Sequence, residues 1–220
     1  MVATTKVVDL IDRAEEQLQD ATNARWTQAE LLNYLNDAQK HIVSQRPDAS
    51  MKNATLGCSA AAKQSLPSDG IKLINVIRNT SGNATSLVDR YALDQTEPDW
   101  YTKSGNTAVK HWMYDPLDPS VFYVYPVPAN TVELEIVYTT QPADITISNY
   151  VTDTDVISLD DSYRNPILDF ILYRAYQKDS EGGGSAQKSA MHFQSYQAAL
   201  QVRNQIDAQT NPIPDTPDRA

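Results

Sequence analysis

The hydrophobic period of this chain changes twice along its length, and that change limits the fold more than any other feature. Apolar residues recur every three or four positions near both ends and every second position in the middle. Between residues 6 and 21, Val7, Val8, Leu10, Ile11, Ala14 and Leu18 keep mainly helical spacing, with Asp9, Asp12, Arg13, Glu16 and Asp20 elsewhere around the wheel. This predicts an amphipathic helix. A second helix starts at Thr27 and Glu30, which have the spacing of a capping box, while Trp26 and Leu31 stand where a hydrophobic staple places its pair. Leu31, Tyr34, Leu35, Ala38 and Ile42 then share a face until Arg46-Pro47 ends the helix. The link TNAR joins the two helices into a hairpin.

From about 66 to 140 the period is two. Ile71, Leu73, Asn75 and Ile77 alternate with their neighbours, Ser81-Gly82-Asn83 turns the chain, and Ser86-Leu87-Val88 resumes an extended pattern, which reads as a hairpin. Turn residues from Asp94 to Gly105 precede Ala108–Tyr114, and Asp115-Pro116-Leu117-Asp118-Pro119 leads into Val121–Tyr125. The clearest strand puts Val132, Leu134, Ile136 and Tyr138 on one side. Helical spacing returns near Ser162, with Pro166 in or just after the first turn, where a missing N–H costs little. Gly182-Gly183-Gly184 serves as C-cap, turn and hinge before a fourth helix that runs through Ala186, Phe193, Tyr196 and Arg203. After Asp207 the proline-rich end has no periodicity and is expected to be extended.

The expected fold class is therefore α+β: N-terminal and C-terminal helical hairpins packed as a helical bundle, with an inserted antiparallel β unit. The expected divisions are 1–50, 51–158 and 159–207, with a tail at 208–220.

A formal charge of −10 sets the surface against phosphate backbones, so tight nucleic-acid binding is not expected. The first residues carry no secretory signal and no apolar run is long enough for a membrane, which points to a soluble protein made in a cytoplasm. Cys58 stands alone, so no internal disulfide is expected. His41, His111 and His192 lie in separate elements without metal-ligand spacing, and neither a nucleophile elbow nor a phosphate loop occurs. No catalytic residue, metal or cofactor is expected. Asp99 and Asp115 could be imagined as a carboxylate pair, but both sit in ordinary turn sequences. The positive signal is aromatic: Trp100, Tyr101, Trp112 and Tyr114 crowd one stretch of the β unit and are candidate protein-interface residues.

The order of motifs is itself informative. RWTQAELLNYLNDAQKHIVSQRPDA at 25–49, LPSDGIKLINVIRN, PDWY at 98–101, KHWMYDPLDPSVFYVYPVP at 110–128 and LDFILYRAYQKDSE at 168–181 resemble, in that order, the head-to-tail adaptor (connector) proteins of tailed bacteriophages, over about 20 to 206. The resemblance implies a structural virion protein at the head–tail junction, assembled in the host cytoplasm. It implies a homo-oligomeric ring, a dodecamer, beneath the portal protein, with the next tail component (nozzle or tail-tube protein) below. DNA would pass through the lumen without specific binding, repelled by acidic side chains. Pro212, Ile213, Pro214 and Pro217 form a candidate portal-docking tail, extended before it docks. Two other classes compete: a tail or baseplate component whose aromatic β unit binds a host glycan, and a carboxylate hydrolase acting on polysaccharide.

Overall fold

Two helices open the chain, α1 at Val7–Leu18 and α2 at Gln28–Gln45. The computed structural model describes residues 3–103, 105–179 and 183–210. All five buried residues of α1, namely Val7, Leu10, Ile11, Ala14 and Leu18, are apolar positions of the helical pattern. Gln19 closes the helix at φ 56°, the left-handed conformation of a helix stop. The loop that follows is organised by one carboxylate. Asp20 accepts from the backbone N–H of Ala24, Arg25 and Trp26 at 2.8–3.0 Å, and these bonds hold its carboxyl below the usual range.

At the start of α2 only half of the capping box forms. Thr27 Oγ1 accepts from the Glu30 N–H at 3.3 Å, but the Glu30 carboxylate turns away to Tyr34 and Lys178, both at 2.7 Å. A charge partner on another helix outcompetes the neutral N–H at the cap. Trp26 is buried, and its indole N–H donates to the Ala175 carbonyl at 3.1 Å.

The C-terminal helices are α4 at Arg164–Lys178 and α5 at Gly183–Thr210; a shorter helix, α3 at Arg90–Thr96, lies between them and α2 in sequence. Pro166 is the third residue of α4, inside the first turn. Ile167, Leu168, Phe170, Ile171, Leu172 and Ala175 are all buried, so α4 hides most of its circumference. It packs against α1 and α5 and meets α2 through Glu30–Lys178 and Tyr34–Arg174. Gly183 and Gly184 begin α5 instead of ending α4, which stops at Asp179 with φ −96° and needs no glycine. α5 continues through Thr210, past the expected start of an extended tail at 208. Gly182 and Asn211–Ala220, with Pro212, Ile213, Pro214 and Pro217, lie outside the described residues.

The chain divides into two compact units, a helical one at 1–41 with 143–220 and a β-rich one at 42–142. In the helical unit, residues 143–158 lack regular structure and are clasped by polar side chains of α2. Asn36 bonds both the N–H and the C=O of Ile145 at 3.0 Å, and Gln39 accepts from the Ser158 N–H at 2.6 Å. The chain start is tied in by Asp161, which accepts from the Thr4 and Thr5 N–H groups and from the Thr4 hydroxyl.

The β-rich unit contains β1 (Met51–Gly57), β2 (Lys63–Ser65), β3 (Gly70–Asn79), β4 (Ser86–Leu87), α3 (Arg90–Thr96), β5 (His111–Tyr114), β6 (Val121–Tyr125) and β7 (Glu133–Thr140). One sheet has the order β1-β7-β3, fully antiparallel; the other, β2-β6-β5-β4, is mixed because β4 runs parallel to β5. Leu134, Ile136 and Tyr138 of β7 face a core with Leu73, Val76 and Phe122. The expected hairpin at 71–88 is only partly realised. The chain reverses there, with the Thr85 N–H reaching the Ile77 carbonyl at 3.1 Å, but β4 joins the other sheet. Three register shifts between β3 and β7 replace strict alternation, so Leu73, Val76 and Asn79 are the buried positions.

Candidate functional site

Asp89 caps α3 by accepting from the Tyr91 N–H at 3.0 Å, which fixes the helix beside the β5–β6 hairpin. A cleft of about 480 Å³ opens between them, lined by Asp89, Arg90, Tyr91 and Asp94 on one side and by Tyr114, Asp115 and Tyr123 on the other. The Arg90 guanidinium lies over the Tyr123 ring, 5.5 Å from its centroid, and 3.9 Å from Asp94. Asp94 also accepts from the Trp100 indole at 2.7 Å. Asp115 holds the turn after β5 by accepting from the Leu117 N–H at 3.0 Å. Burial and then the Asp115 charge push the Tyr114 hydroxyl upward. Beside the cleft, Glu97 binds Lys103 and accepts from the Tyr125 hydroxyl; those bonds, Lys103 first, hold its carboxyl low.

The four candidate aromatics do not form one surface. Trp100 is buried, edge-on to Tyr101 and Tyr123, in a cluster with Met113 and Val127. Trp112 is buried in the other cluster, with Phe122 and Val124. The reason is that β5 is covered on both faces, so Trp112 and Met113, which point opposite ways, are both hidden. Tyr101 is exposed and Tyr114 is half-buried at the cleft. Sequence reasoning missed Arg90 and Tyr91. The signal that marks α3 is Asp89, a capping residue directly before RYALDQT.

The remaining titratable candidates have structural partners. His41 Nδ1 lies 2.7 Å from the Tyr196 hydroxyl, and burial lowers its affinity for a proton. His192 pairs with Asp169 at 2.9 Å and His111 with Ser86 at 2.7 Å. Cys58 is buried, which pushes its thiol up to about 11. Asp99 is engaged with Lys103 at 3.4 Å, while Asp115 lines the cleft. Among the described residues no three His, Cys, Asp or Glu side chains gather to hold a metal ion, and no helix is long and apolar enough to cross a membrane.

Residues 5–216 match the family model of the SU10 adaptor protein. The chain belongs to that family. It is a phage head-to-tail adaptor family, so this adaptor is a structural component of the virion that interacts with portal and tail components. No curated protein matches the chain. The match takes in both units of the adaptor, helical and β-rich, together with the cleft.

Proposed function

We propose that the adaptor assembles as a dodecameric ring beneath the portal at the head–tail junction, that the next tail component joins its other face, and that DNA crosses its lumen without being held. The observation that carries this reading is the family match across nearly the whole chain. The charge of −10 per subunit supports the DNA part: an acidic lumen repels phosphates and offers a passing duplex nowhere to stall. The bonds from Trp26, Glu30 and Tyr34 to α4 favour the helices of the two chain ends acting as one bundle.

Within that reading, Pro212, Ile213, Pro214 and Pro217 dock to portal, where a proline-rich sequence loses little entropy and many weak contacts add up around a ring. Gly182, Gly183 and Gly184 act as a hinge during assembly. Tyr101 and Tyr114 are the candidate aromatics with surface to offer a neighbour. The adaptor performs no catalysis. Negative-stain images and mass measurements with and without portal test the reading: rings, or portal-bound rings, are expected, and a protein that stays monomeric beside portal would refute it. Deleting 209–220 is expected to leave the melting temperature unchanged and to abolish co-sedimentation with portal. Substituting Gly183→Ala and Gly184→Ala together tests the hinge, since normal joining to portal would remove that role.

A further inference from the structure

We propose that the cleft between α3 and the β5–β6 hairpin receives a short peptide segment of a neighbouring virion protein, apolar where it meets the rim and basic where it meets Asp89 and Asp115. The volume, about 480 Å³, suits a few side chains. Its surroundings are apolar and open: Leu87 is 61% exposed and Tyr91 68%, and Leu117, next to the lining residue Pro116, is 94% exposed. Three large apolar side chains left in water around one opening mark a contact surface.

The charge chooses the occupant. Three carboxylates, Asp89, Asp94 and Asp115, line the cleft against one cation, Arg90, and that cation is already placed over Tyr123 and beside Asp94. Asp89 and Asp115 each give one oxygen, Oδ1, to a backbone N–H, so each has a second oxygen to offer an incoming ammonium or guanidinium. Tyr91 adds an exposed ring face for the same cation. A sugar is a poorer fit. Tyr123 has Arg90 over its face and Trp100 standing edge-on, which leaves a sugar only Tyr91 to stack on, with no second bare ring opposite. Nucleic acid meets carboxylates where its phosphates would sit.

The identity of the neighbour rests on the adaptor reading, whereas the chemistry of the cleft does not. The test titrates the full-length, ¹⁵N-labelled protein with acetyl-Leu-Arg-Leu-Lys-amide and with the same peptide carrying Glu in place of Arg and Lys. Saturable shifts are expected at the amides of residues 87–91, 113–115 and 117, with a dissociation constant of about 1 mM or tighter. The double variant Asp89→Asn, Asp115→Asn keeps an oxygen for the cap and the turn, so it is expected to fold normally and to bind about tenfold more weakly. No saturation, equal binding of the Glu peptide, or undiminished binding by the folded double variant would overturn the proposal. So would cellohexaose moving the same amides in place of the basic peptide. Electron microscopy of the wild-type protein reads assembly separately: rings without peptide binding defeat the cleft proposal alone, and peptide binding without rings defeats the ring alone.

Discussion

Replacing Trp26 separates two contributions that the structure places on one side chain. The ring is 7% exposed, and its N–H donates to the carbonyl of Ala175 at 3.1 Å. Ala175 lies in the last four residues of α4, whose carbonyls have no partner within the helix, so the indole caps a neighbouring helix end. A tryptophan hides about 200 Å², which at about 25 cal/mol per Å² gives about 5 kcal/mol as an upper value. Trp26→Ala is therefore expected to cost about 3–5 kcal/mol. Trp26→Phe keeps most of the apolar area and loses the bond, so about 1–2 kcal/mol is expected. Urea denaturation followed by far-UV circular dichroism is the suitable assay, because fluorescence would lose one of its three tryptophans. A loss under about 1 kcal/mol for Trp26→Ala would refute the burial argument. Equal losses for the two variants would show that the ring area contributes little beyond the bond.

Asn36→Ala removes both bonds to Ile145 and is expected to cost about 2 kcal/mol by the same denaturation assay. Cys58, buried and pushed up to about 11, is expected to resist maleimide in the native protein and to react within minutes in denaturant; rapid native labelling would contradict its burial. Asp161 has its carboxyl held below the ordinary aspartate value, first by the Thr4 hydroxyl and then by the Thr4 and Thr5 N–H groups. A depressed folded-state pKa stabilises fully above the unfolded value near about 4 and loses that contribution as the pH falls below it. The melting-temperature gap between wild type and Asp161→Ala is thus expected to be constant near neutrality and to shrink in acid, and a gap that widens in acid would contradict the assignment.

Elements that bury one face were legible in the sequence. α1, α2 and β7 announce themselves because Leu10, Leu35 and Ile136 sit at the right spacing against solvated neighbours. β5 was harder, since a strand covered on both sides has no alternation with which to sort Trp112 from Met113. β3 hides its pattern behind bulges, and α3 buries none of its residues, so only Asp89 marks it. The segment 143–158 has no signal of its own because Asn36 and Gln39, polar residues on a helix, hold it from the other side. The cleft escaped for a related reason: its walls come from residues about thirty apart, and no local period joins Arg90 to Tyr123. Family membership was legible because five separated segments agree in order, which needs no knowledge of contacts.

The helical unit is discontinuous, and that sets a timetable for synthesis. α1 and most of α2 leave the ribosome roughly a hundred residues before the segment that completes their unit, an interval of about 5–20 s at ordinary elongation rates. Compared with a quarter of that length, closing the longer loop costs only about 1 kcal/mol more, so the delay weighs on kinetics far more than on equilibrium. The β-rich unit has its own late step, because β7 is its last strand and lies between β1 and β3. Translation thus finishes one unit at β7 and proceeds at once to the residues that cover the waiting apolar face of α1, with α4 emerging between an α1 already made and an α5 still to come.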